Sequence, residues 1–128
     1  MENKDMDDLS RKIIGCIIEV HRQLGAGLLE STYSECLAYE FIEKGIKFEK
    51  EKTLPVIYKK NKIECGYRID FLVENEIILE LKSVEKILPI HKAQILTYLK
   101  LSTKKLGFLI NFNEIMVKNG IQRIVNDF

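Results

Sequence analysis

The sequence has no tryptophan and three cysteines in 128 residues, and what is scarce already narrows the choice of protein class. Cys16, Cys36 and Cys65 are odd in number, widely spaced and outside any CxxC or Cys/His ligand pattern. That excludes a disulfide framework and a structural zinc site, and the protein reads as cytoplasmic. No apolar run approaches the roughly 18 residues needed to cross a bilayer. Residues 1–8 are polar and acidic, unlike the basic-then-apolar opening of a signal peptide, so no membrane association is expected. There is no internal repeat, no low-complexity stretch and no Pro/Gly/Ser-rich linker, so residues 1–128 read as a single domain. Charge of one sign is missing too. Twenty basic residues against nineteen acidic ones leave +1, no strong field to draw the chain onto nucleic acid, so any such contact must be local or shared with a partner.

What is present suffices for one sizeable core, since 46% of the residues are hydrophobic. Leu9, Ile13, Ile17, Val20 and Leu24 recur at helical spacing, and Gly25-Ala26-Gly27 ends that helix. A second helix starts between residues 29 and 32, carries Tyr33, Leu37 and Phe41 on one stripe, and stops at Gly45. Residues 47–58, 63–73 and 77–83 have strand texture with short polar connections, which predicts an antiparallel meander. Residues 90–101 read as a helix with Pro89 in its first turn. The nearly all-apolar segment 106–112 reads as a strand covered on both faces. Lys118-Asn119-Gly120 reads as the turn of a terminal hairpin between residues 115–117 and 121–125. The expected fold class is therefore α/β: a mixed sheet of a three-strand antiparallel meander plus a later strand, flanked by helices.

Side chains two apart on a strand share a face, so Glu80 and Lys82 emerge together beside Ile78, with Leu79 and Leu81 opposite. The short turn at Glu74-Asn75 brings Asp70 on the preceding strand toward Glu80. Two carboxylates this close repel unless a cation lies between them, and hard oxygen donors select magnesium, manganese or calcium over zinc. Lys82 beside such an ion can orient or deprotonate a water, or neutralise charge on a phosphate. The plainer reading is a cross-strand ion pair on a solvated sheet face. Glu30 is expected on the core side of its helix, where it either completes the metal site or serves the helix dipole. His91, Gln94 and Tyr98 share one side of the 90–101 helix. Gln94 and Tyr98 can hold a phosphate or Lys82, or simply pack a helix flank, and His91 reads as a helix-start surface residue.

Asp70, followed after nine residues by Glu80-Leu81-Lys82 within this element order, resembles the PD-(D/E)XK nuclease superfamily. Gln94 to Tyr98 looks like the QxxxY element of its RecB-like branch. Gly27-Leu28-Leu29-Glu30-Ser31-Thr32-Tyr33 matches the signature of the GxxExxY protein family. The resemblance spans residues 9–125 and implies a restriction-endonuclease-like core acting as a Mg2+- or Mn2+-dependent nuclease. It implies Asp70 and Glu80 as metal ligands, Lys82 as the catalytic lysine, Glu30 as a further acidic ligand, and Gln94 and Tyr98 as supporting catalytic residues. Ile69 stands where the motif has proline. The implied partner is nucleic acid, DNA before RNA. Lys44, Lys47, Lys50, Lys52, Lys59, Lys60 and Lys62 offer local phosphate contacts, although, interspersed with Glu49 and Glu51, they read as a solvated edge guarded against aggregation. The alternatives are an inert nucleic-acid-binding or protein-interaction module on the same fold, with an accessory protein partner, and a homodimer joined through residues 115–125.

Overall fold

The computed structural model describes residues 3–127; Met1, Glu2 and Phe128 lie outside it. Helix α1 runs Asn3–Leu24 and α2 Glu30–Glu43. The α1 stripe of Leu9, Ile13, Cys16, Ile17 and Val20 is buried as its spacing demands. The helix is already formed at Asn3, ahead of that stripe, because polar residues extend an existing helix and Asp5 suits the positive end of its dipole. Gly45, at φ +69°, ends α2 by letting its own N–H reach the Ile42 carbonyl while the Ile46 N–H reaches Phe41.

Five strands form one sheet in the order β1 to β5: Phe48–Tyr58, Asn61–Val73, Ile77–Lys82, Leu106–Asn111 and Ile121–Val125. The pairs β1/β2 and β2/β3 are antiparallel, as the meander requires. Helix α3, Pro89–Ser102, is the crossover that makes β3 and β4 parallel, and β5 closes the edge antiparallel to β4. The sheet is mixed, with helices on both faces. Against one face α1 and α2 bury Phe71, Leu79, Leu81, Phe108 and Ile110. Against the other α3 packs Ile95, Tyr98 and Leu99 on Leu72, Ile78 and Leu109. Gly107 makes that packing close, since a Cβ there would lie 3.1 Å from both the Ile78 carbonyl oxygen and Ile95 Cδ1. Every residue of β4 is buried, which accounts for its continuous apolar run.

The terminal hairpin is corrected. Val117–Gly120 forms a 3-10 turn, and Ile121–Val125 pairs with β4 instead of folding back on residues 115–117. Gly120 is absent from the positive-φ glycines, so it does not serve as a hairpin turn residue. A Cβ on it would collide with the Asn111 carbonyl oxygen, and glycine is needed for that close approach. All three cysteines are free. Among the described residues no helix is long and apolar enough to cross a membrane.

Candidate active site

The ladder between β2 and β3 covers Phe71 with Leu79, Leu72 with Ile78 and Val73 with Ile77, and then stops. Asp70 and Glu80 occupy the next level, and there side chains replace the ladder. Glu80 Oε2 accepts from the Asp70 backbone N–H at 2.8 Å, and Asp70 Oδ2 accepts from the Leu81 backbone N–H at 2.8 Å. The two carboxylates are thus locked crosswise where the strands part. The β1/β2 pairing is interrupted at this level as well, between Lys50 with Phe71 and Lys52 with Ile69. Glu51 sits there at φ +54°, a conformation costing a non-glycine residue about 1–2 kcal/mol.

Burial decides the electrostatics. Glu80 is 5% exposed, so this is not a solvated sheet face and the plain surface ion pair is excluded. Burial first, then the charge of Asp70, pushes the Glu80 carboxyl up to about 9. Burial also raises half-buried Asp70, against the Leu81 N–H, Glu80 and Lys82, which all favour its charge. The pair therefore holds a proton at neutral pH. Lys82 is half-buried and lowers both carboxyls by its charge, yet among the described residues it closes no ion pair with either.

Asp70 forms part of the wall of a cavity of about 300 Å³, with Leu81, Glu30, Ser31, Ser34, Glu35, Lys50 and Glu51. Four carboxylates face one ammonium there, and that ammonium, Lys50, is bonded to Glu35 across the gap between β1 and α2. Such a cavity favours a cation. Glu30 is exposed on the first turn of α2, which corrects the expectation that it points to the core side. Its charge nonetheless reaches Asp70 and helps to raise that carboxyl. Among the described residues no three His, Cys, Asp or Glu side chains converge on one point, so the three-carboxylate set of Asp70, Glu80 and Glu30 is not drawn together.

The positions of Glu30 and Lys82 are fixed by residues behind them. The Tyr33 hydroxyl donates to the Gly25 carbonyl at 2.6 Å and accepts from the Leu28 N–H at 3.1 Å, while its buried ring stacks on Phe112 with centroids 4.4 Å apart. Ser83, next to Lys82, donates to the Leu28 carbonyl at 2.6 Å. The α1–α2 connection, with Gly27 at φ +94°, is thereby tied to the end of β3 and sets Glu30 at the cavity mouth. Fully buried Asn111 holds Val84 from both sides, accepting from its N–H at 3.1 Å and donating to its carbonyl at 2.9 Å.

Helix α3 splits its expected trio. Tyr98 is buried, its ring 6.2 Å from that of Tyr67, and burial with the nearby Glu80 charge raises its hydroxyl, which stays protonated at neutral pH. Gln94 is exposed and its side chain hydrogen-bonds to no described residue. His91 caps the helix start, its Nδ1 accepting from the Leu88 N–H at 3.0 Å. Ser34 and Glu35 escaped sequence reasoning, and Ser31, Lys50 and Glu51 were singled out there without being placed at the cavity. Pairing with β2 brings β1 beside Asp70, and no residue pattern announces the positive φ that Glu51 adopts there.

A family model described as the PD-(D/E)XK nuclease superfamily matches residues 7–124. The chain belongs to this superfamily. No curated protein and no solved structure matches the chain. For a PD-(D/E)XK nuclease superfamily member, a five-strand mixed sheet flanked by helices is the restriction-endonuclease-like arrangement, and Asp70 lies on its second strand with Glu80 and Lys82 on its third. Divalent metals are general in the superfamily, and the donor set here suits one. Two adjoining carboxylates that repel each other, Glu80 buried and Asp70 half-buried, offer hard oxygens, and magnesium is ordinarily held by one or two carboxylates with water and phosphate supplying the rest.

Proposed function

We propose that the protein is a metal-dependent nuclease that hydrolyses phosphodiester bonds in DNA, with Mg2+ or Mn2+ held by Asp70 and Glu80. The observation that carries this reading is the crosswise lock of the two carboxylates at a level where one of them is almost wholly buried. An arrangement that raises both pKa values disfavours the charged carboxylates, and it gains a purpose when a divalent charge replaces the shared proton. When bound, the ion lowers the pKa of a water and draws charge from a phosphoryl oxygen. Glu30, exposed at the cavity mouth and separate from the other two, acts on the site through water. Lys82 carries its ammonium beside both carboxylates without being neutralised by a close pair, so it can orient the attacking water and stabilise the negative charge that grows on the phosphate. Tyr98 offers a protonated hydroxyl at the wall of the site, and Gln94, one turn earlier on α3, offers its amide to the substrate backbone.

We also assign the chain to the GxxExxY subfamily. In support, Gly27 supplies the turn, Glu30 the acid at the cavity mouth and Tyr33 the anchor of the connection. Cleavage of single-stranded, double-stranded and branched DNA with manganese tests the proposal. Asp70→Asn and Lys82→Ala should each lose at least about a thousandfold in rate while keeping the wild-type fold, whereas Glu30→Gln and Gln94→Ala should lose less. Wild-type rates in either of the first two variants would overturn the assignment.

A further inference from the structure

Beyond the level of Asp70, β1 and β2 continue as a two-stranded arm. Strand β3 pairs with β2 only at Phe71, Leu72 and Val73, and β1 is the outer strand, so residues 53–68 have no sheet neighbour on either side. Every residue from Asn61 to Arg68 is exposed, and across the ladder Ile57 and Tyr58 are 53% and 57% exposed. A hairpin without a third strand is marginal in water. The chain nevertheless builds its tip from the wrong residues for stability. Tyr58 pairs with Asn61, leaving a two-residue connection of Lys59 and Lys60 at φ +49° and +69°. Such a turn favours Asn-Gly, and lysine in the left-handed region costs about 1–2 kcal/mol per residue. Nothing in the packed part of the fold needs lysine there, and strain kept at such a position is a mark of function. The arm holds Lys59, Lys60, Lys62 and Arg68 against Glu64 alone, and Glu64 lies 3.5 Å from Lys62.

A two-stranded ribbon is one of the two elements that the major groove of B-DNA admits. We propose that the β1–β2 arm is a duplex-binding ribbon that enters the major groove of the DNA substrate, with Lys59 and Lys60 at its tip on the phosphates. The choice of DNA as partner rests on the nuclease reading above. The base of the arm is tied to the candidate site through Tyr67 against Tyr98. Along β1, which has the fewer residues at the register irregularity beyond Leu54, the arm takes the seven steps from Glu51 to Tyr58, about 23 Å at roughly 3.3 Å per residue, so the tip meets the duplex about two-thirds of a helical turn from the scissile phosphate.

The double variant Lys59→Asn/Lys60→Gly removes both charges and installs the favoured turn, so loss of folding cannot explain a binding defect. Binding of the full chain to a labelled duplex several turns long is read by fluorescence anisotropy in EDTA across a salt series. The variant should bind on the order of tenfold more weakly at low salt, and its slope of log K against log salt should be shallower by about two, near 0.9 for each phosphate that a lysine no longer neutralises. Unchanged affinity and slope overturn the proposal, as does a wild-type protein that binds no duplex or an equal loss on single-stranded DNA. A wild-type dimer that dissociates in the variant while DNA affinity stays constant also overturns it and makes the arm a self-association surface. The cleavage assay separates the two readings: an active enzyme with an indifferent arm keeps the nuclease, and an inactive protein that binds duplex through the arm keeps the arm.

Discussion

Glu80 is a carboxylic acid at neutral pH, and the reason is local: it lies almost wholly out of water beside a second carboxylate. Its pKa in the folded chain, about 9, stands above the ordinary 4.5, so the folded state holds the proton more tightly than the unfolded one. The stabilisation is complete below the ordinary value and drains away as pH rises toward the folded one. Thermal unfolding of the metal-free protein should therefore show a melting temperature that falls steadily between pH 5 and pH 9, a span set by those two values. Glu80→Gln should flatten the curve; a wild-type curve already flat across that range would show that the carboxyl is not buried as described. At Tyr33 the removal of one oxygen is expected to matter as much. Tyr33→Phe leaves the Gly25 carbonyl and the Leu28 N–H without their partner and should cost about 1–3 kcal/mol in urea denaturation. The tyrosine is visible in the sequence, but its partners are backbone atoms of a neighbouring loop, which no residue pattern reveals.

Elements whose periodicity is set by burial were legible, and elements whose form is set by a single close approach were not. The stripe of Leu9, Ile13 and Ile17 and the unbroken apolar run of β4 each follow from which faces are covered, so their pattern survives in the residues. The carboxyl-terminal turn fails that test, because Asn119-Gly120 is the strongest local hairpin signal there is while the glycine is present for clearance from the Asn111 carbonyl. The two roles for this glycine predict opposite mutational outcomes. Gly120→Ala should destabilise the protein by about 1–3 kcal/mol through overpacking against backbone, whereas in a hairpin with glycine at φ > 0 the penalty would come from backbone conformation and be eased by asparagine. Chemical denaturation of Gly120→Ala beside Gly120→Asn distinguishes them: both should be severely destabilised, and a near-native asparagine variant would restore the hairpin.

For the whole molecule, the near balance of charge conceals a strong separation. Acidic groups gather round the cavity at Asp70, while basic groups dominate the exposed arm. Sequence order was enough to bring Asp70 and Glu80 together, since the turn at Glu74-Asn75 sets the register, but the crosswise hydrogen bonds and the acidic wall come from strand splaying that only the assembled sheet displays. Function on this proposal turns on one exchange, in which a divalent ion takes the place of the proton shared by these two carboxyls. Calorimetric titration of the protein with magnesium or manganese at about pH 7.5, repeated in buffers of different ionisation enthalpy, counts the protons that leave as the ion binds. One ion per chain should bind with release of close to one proton, and neither should be seen in Asp70→Asn. Binding that persists in that variant, or that proceeds in the wild type without releasing a proton, would contradict the exchange.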